Sequence, residues 1–176
     1  LVLGKRVLLE FDLERRDRYG RTLAYLWLTG EGSAVMVNEL LVAEGCALPY
    51  TFPPNLRYTE LFREAFHRAR SSGKGLWGRA RGRLFTPAQV WAELPSVAGR
   101  FITVKFKVRD VAIEDPRLPH SDKGNASLVV YESDTGQFDR LENYAGRTLT
   151  IVGKVTPGFG GPEIHLADPA QILSIR

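Results

Sequence analysis

The chain has 176 residues, with 24 Lys and Arg against 20 Asp and Glu and a formal charge of +4. Its 44 % hydrophobic and 25 % charged fractions are those of a folded globular protein and exclude wholesale disorder. No run approaches the ~18 consecutive apolar residues of a membrane-spanning helix. One cysteine, Cys46, excludes an internal disulfide, and three histidines beside it leave little for a zinc site. The sequence opens on Leu1 without Met or a polar leader. It is read as a fragment entered inside a domain, with targeting information upstream.

The first elements in chain order are strands. Residues 7–12 (VLLEFD) and 22–28 (TLAYLWL) are rich in β-formers, and a charged stretch between them carries the turn signal Tyr19-Gly20. This predicts a hairpin with a polar loop. Residues 35–44 place Val37, Leu40 and Leu41 at helical spacing before Gly45, a C-cap signal. Residues 55–72 form the longest predicted helix, with Leu61, Phe62, Ala65, Phe66 and Ala69 on one face and Gly73 at its end.

Charge then marks a boundary. Residues 1–78 net +2, residues 79–100 net +3 and residues 101–176 net −1. The Arg79-Ala80-Arg81-Gly82-Arg83 stretch reads as a linker over 79–85. Thr86-Pro87 reads as the N-cap and first turn of a short helix over 86–94. The division is therefore 1–78, an Arg-rich linker with a short helix over 79–100, and a second domain over 101–176.

Beyond residue 100 the period becomes two. Ile102, Val104, Phe106 and Val108 alternate with Thr103, Lys105, Lys107 and Arg109, the pattern of a half-buried strand with cations on its polar face. Further strands are expected over 127–132, 148–156 and 163–166 and in a last strand ending at Ile175, with a helix over 137–144 and a Gly/Pro turn holding Phe159. A strand between 111 and 126 has no clear position. Short strands with one inserted helix suggest a small closed barrel such as the OB-fold. Its cationic strand face suits a strand-tracking groove, with Phe159 as a stacking residue in the loop joining the last two strands.

The first 78 residues carry a specific resemblance. Residues 7–12, then Asp17-Arg18-Tyr19-Gly20-Arg21-Thr22-Leu23-Ala24-Tyr25, then 37–45, then Tyr50-Thr51-Phe52-Pro53-Pro54-Asn55 and Gly73-Lys74-Gly75-Leu76-Trp77 resemble, in order, the staphylococcal nuclease (thermonuclease) family. The resemblance implies an α+β chain: an OB-barrel nuclease domain lacking its amino-terminal strands, followed by a second small OB-fold-like barrel. It implies calcium-dependent cleavage of phosphodiester bonds in DNA or RNA, and it suggests a secreted or cell-envelope protein. Arg21 corresponds to a catalytic arginine. Arg18 and Tyr19 correspond to residues that hold a terminal phosphate, and Tyr50 to a tyrosine beside the nucleotide. Tyr50 and Phe52 equally fit a role covering the core beside Pro53-Pro54. The family's other arginine, glutamate and metal-binding aspartates have no counterpart in this chain, so no metal ligand is assigned. Calcium ligands are expected upstream of Leu1, and the chain alone is expected to be inactive.

An arginine cannot act as a base, so it offers phosphate donors but activates no water. Asp12, Glu14 and Asp17 cluster in sequence, but Arg15, Arg16, Arg18 and Arg21 around them indicate a neutralised surface loop. In residues 144–172 several segments resemble OB-fold nucleic-acid-binding modules attached to bacterial nucleases. The alternative to a nuclease is a non-catalytic nucleic-acid-binding module or scaffold.

Overall fold

The computed structural model describes residues 1–30, 33–50, 53–109, 125–158 and 160–176. The chain is a mixed α/β protein of two compact units, Leu1–Gly75 and Leu76–Arg176.

The first unit is built on a three-stranded antiparallel sheet. Its strands β1 (Val7–Glu10), β2 (Tyr25–Gly30) and β3 (Ser33–Met36) lie in the order β1-β2-β3. The register sets Leu8 opposite Trp27 and Trp27 opposite Met36. Helix α1 (Val37–Ala43) follows directly, and α2 (Thr59–Ser72) packs beside it. The buried face of α2 is Ala65, Phe66 and Ala69, three of the five positions expected from its spacing. Gly73, at φ +64°, ends the helix, and the amides of Gly73 and Lys74 cap the carbonyls of Arg70 and Ala69.

Two boundaries differ from the sequence reading. Val35 and Met36, expected in a helix, belong to β3, because pairing with Leu28 and Trp27 satisfies their backbone and Met36 is buried there. Residues 55–58, expected as the first turn of α2, are extended or turned instead. The Asn55 side chain is committed elsewhere: its Oδ1 accepts from the Glu14 amide at 2.8 Å and its Nδ2 donates to the Glu14 carbonyl at 2.9 Å.

The second unit begins with α3 (Leu76–Ala80), β4 (Leu84–Phe85), α4 (Pro87–Ala92) and α5 (Leu94–Val97). Thr86 caps α4: its side chain accepts from the Gln89 amide, while the Gln89 side chain accepts from the Thr86 amide. The main sheet adds β5 (Phe101–Lys107), β6 (Ser127–Val129), β7 (Thr148–Pro157), β8 (Pro162–His165) and β9 (Ile172–Ile175). Its order is β4-β5-β7-β8-β6, with β9 also on β7. The pairs β4–β5 and β6–β8 are parallel; the others are antiparallel. The core lies on one face, around Val104, Leu149, Ile151, Val155 and Ile164, all fully buried.

Neither sheet closes into a barrel among the described residues. The ends of the second sheet, β4 and β6, are not paired with each other there. Residues 111–126, where the sequence leaves one barrel strand without a clear position, lie largely outside the described residues. Of the helix expected over 137–144 only a 3₁₀ turn at Leu141–Tyr144 forms, and the single helical turn of this region, α6 (Glu132–Thr135), comes earlier and ends at Gly136. The α6 turn is tied to β8, since buried Asp134 meets His165 Nε2 at 2.8 Å and the Tyr131 ring lies 4.4 Å from the His165 ring.

Candidate functional site

The loop between β1 and β2 brings three of the sequence-nominated residues together. An isolated bridge between Arg16 and Thr22 closes it, and Asp17 and Arg21 pair through the Asp17 amide and the Arg21 carbonyl at 3.0 Å. Gly20 sits at φ +78°, which only glycine adopts freely, and so lets the chain reverse.

Asp17 organises this turn. Its Oδ1 accepts from the amides of Tyr19 and Arg21, each at 2.9 Å, and its Oδ2 accepts from Arg21 Nε at 2.5 Å. Burial pushes the Asp17 carboxyl up, but these donors outweigh it and hold it below the ordinary carboxylate range. The Arg21 side chain nonetheless stays 75 % exposed. Holding Nε fixes the plane of the guanidinium and leaves its two terminal nitrogens as outward donors. The Tyr19 ring, also exposed, is within reach of two cations, 4.8 Å from Arg18 Cζ and 5.4 Å from Arg21 Cζ. Arg18, Tyr19 and Arg21 therefore form one exposed cationic loop. Such an arrangement accepts a phosphate dianion; it holds no base.

Behind the loop lies a polar cluster that sequence reading missed. Glu10 accepts from Arg57 Nη1 at 2.6 Å, Trp27 Nε1 at 2.8 Å and the Tyr58 hydroxyl at 3.0 Å. Asp12 accepts from the Tyr25 hydroxyl at 2.9 Å and the Arg57 amide at 3.1 Å. Arg57 lowers the Glu10 carboxyl through its hydrogen bond, against the effect of burial. The Arg57 amide does the same for Asp12, with Tyr25 adding to it. Burial, then the bond to Asp12, raises Tyr25 to about 12. Tyr58 is raised by burial and by Glu10. The cluster anchors both strand ends and residues 55–58, the frame from which the loop projects. Its one sequence signal is a pair of carboxylates two apart on an otherwise apolar strand. Their partners, 13 to 48 residues away, leave no local trace.

These acids do not fit a calcium ion, which takes about 6–8 oxygen ligands. Asp12 and Asp17 are occupied by protein donors, and among the described residues no three His, Cys, Asp or Glu side chains gather as a metal site.

The other nominated residues belong to other segments of the chain. Tyr50 is exposed on the segment after α1. Lys105 and Lys107 are exposed on the polar face of β5, and Arg109 is exposed just beyond it. Phe52 and Phe159 lie outside the described residues. No described helix is long and apolar enough to cross a membrane.

Comparison with known proteins matches residues 1–79 to the family described as staphylococcal nuclease homologue. The chain is 42 % identical over 74 residues to a thermonuclease of Staphylococcus hyicus, covering 42 % of this chain and 41 % of that protein. It is 43 % identical over 76 residues to a thermonuclease of Staphylococcus intermedius, covering 43 % of each. It is 38 % identical over 82 residues to endonuclease YncB of Bacillus subtilis strain 168, covering 46 % of this chain and 37 % of the relative. The chain thus spans less than half the length of the curated relatives it matches. The ordered motifs, the cationic turn they build and the matched residues agree: residues 1–79 are similar throughout to the staphylococcal nuclease homologue family.

Proposed function

We propose that residues 1–79 are the arginine-bearing part of a nuclease that hydrolyses phosphodiester bonds of DNA or RNA. We propose further that residues 101–176 are an OB-fold-like module that binds its substrate. One observation carries the first reading: the Arg21 guanidinium is fixed by Asp17 through Nε while its remaining donors face solvent. In phosphodiester hydrolysis negative charge builds on the non-bridging oxygens. Two parallel N–H donors held in place stabilise that charge more in the transition state than in the ground state. Arg18 and Tyr19 on the same turn hold a neighbouring phosphate, and Tyr50 packs near the nucleotide.

The water and its activation fall to groups outside the described residues, because Arg21 never deprotonates. Calcium enters this proposal through the family, with ligands outside the residues described, and no step is routed through it. Leu8 and Leu9, 61 % and 50 % exposed on the edge strand β1, support the reading that more of a nuclease domain packs on this sheet. In this reading, which follows the family resemblance, the chain alone is inactive and the whole protein acts outside the cell or in its envelope. A nucleic-acid-binding module without catalysis is the second reading, supported by the finding that no three metal-ligating side chains gather among the described residues.

For the second unit, strand pairing supports an OB-like arrangement. Antiparallel β5–β7 and β7–β8, parallel β6–β8, and the α6 turn between β6 and β7 are relations found in a five-stranded Greek-key barrel.

Release of acid-soluble nucleotides from single-stranded DNA tests the proposal, with calcium and with chelator. The chain is compared with a longer one in which residues 1–79 complete a whole nuclease domain. Calcium-dependent release by the longer chain alone is the expected result. Release by the 176 residues alone would overturn the assignment of water activation to outside groups. Silence from both would favour the binding module.

A further inference from the structure

Register extends the cationic edge of β5 into a face three strands wide. Side chains of one parity along β5 share a side of the sheet with their cross-strand partners. Lys105 lies opposite Thr150, and Thr150 opposite Ser174; Lys107 lies opposite Thr148. Thr148 is in turn bonded through both its amide and its carbonyl to Arg176, at 2.8 and 2.9 Å. Two rows result, Lys105–Thr150–Ser174 and Lys107–Thr148–Arg176. Lys105, Lys107, Ser174 and Arg176 are exposed, whereas the opposite parity (Val104, Leu149, Ile151) is core.

The other end of this parity is closed. Trp77 of α3 packs on Phe101 with ring centres 5.6 Å apart, and the Thr103 hydroxyl donates to the Ala80 carbonyl at 2.7 Å. Exposed Arg79 and Arg81 flank that carbonyl. The open face is therefore hydroxyl and cationic, with no carboxylate and no aromatic ring in either row.

We propose that this β5–β7–β9 face is a binding surface for the phosphodiester backbone of a nucleic acid, with Lys105, Lys107 and Arg176 on phosphate oxygens and Thr148, Thr150 and Ser174 as neutral donors. The proposal deepens the nucleic-acid reading of the second unit and rests on it. Rings that stack bases are absent from both rows, so recognition is of the backbone and indifferent to sequence.

The test is fluorescence anisotropy of the full chain with labelled dT20 and a mixed-sequence 20-mer across a salt series. The wild type binds both alike, and its affinity falls steeply with salt. The Lys105→Ala/Lys107→Ala double variant loses two phosphate contacts, so its log–log salt slope becomes shallower by about 1.4. Thr150→Glu at the centre of the face weakens binding independently, by charge repulsion. Lys154→Ala, on the same strand at the covered end opposite Phe101, leaves both affinity and slope unchanged. Far-ultraviolet circular dichroism confirms that each variant is folded. Wild-type binding with an unchanged slope in the double variant would overturn the face while leaving the nucleic-acid reading intact. An equal loss in Lys154→Ala would also overturn it, as generic charge attraction. No binding by the wild type at low salt would overturn the nucleic-acid reading itself.

Discussion

At the scale of single residues, the first unit depends on carboxylates held ionised by neighbouring donors. Glu10, Asp12 and Asp17 all sit below their ordinary range in the folded chain. The folded state then binds fewer protons than the unfolded state at acid pH. Their contribution is fully present above the ordinary carboxylate range, about 4, and is lost as pH falls through the lowered values. Urea midpoints are expected to stay level between pH 7 and 5 and to drop below pH 4; an equal drop in the Glu10→Gln/Asp12→Asn variant would exclude Glu10 and Asp12 as its source. Tyr25, raised to about 12, has the opposite sign: the folded state keeps a proton that the unfolded state loses near 10. Stability therefore declines as pH rises from 10 to 12, and Tyr25→Phe removes that part of the decline. None of these partners was legible in the sequence. Arg21 alone reads as one more surface cation, and only its order among the other motifs singled it out.

At the scale of elements, legibility followed period and length. The helix ending at Gly73 and the strand β5 announce themselves because 14 and 7 residues are enough to display a face. The four-residue β3 does not, since Val35 and Met36 fit the helical spacing of the residues after them. Element junctions are where small changes cost most. Gly45 follows α1 at φ +65°, and a side chain there would overlap the Lys74 carbonyl oxygen, just as one at Gly75 would overlap the Gly45 carbonyl. Gly45→Ala is expected to destabilise the first unit by more than about 2 kcal/mol, through left-handed backbone strain and this overlap. In the second unit fully buried Gln171 accepts from the amides of Ala167 and Asp168 and donates to the carbonyls of Val152 and His165. Gln171→Leu strands all four backbone groups and is expected to cost about 3 kcal/mol or more by urea unfolding, whereas Gln171→Glu keeps the acceptors and loses the donors. A cost below 1 kcal/mol would mean that those groups find other partners.

At the scale of the whole molecule, two α/β units occupy one chain, and only the first carries the family match. The chemistry proposed for it is divided: Asp17 and the Gly20 turn present Arg21, and the water must be activated elsewhere. The sequence conveyed that division through motif order, while the sheet order of the second unit, with β9 added beside β7, came from pairings between residues far apart in the chain. The central claim is that the Arg21 side chain acts on the transition state and bears little on the fold. Its most direct test is the turnover of Arg21→Ala, in a longer chain with a complete nuclease domain, measured beside its urea midpoint. The account predicts a fall in kcat of at least about a hundredfold, as for the loss of a donor to developing charge, with the midpoint little changed, because the backbone bonds of Asp17 to Tyr19 and Arg21 remain. An unchanged kcat, or a loss of rate that only follows a loss of folded protein, would contradict it.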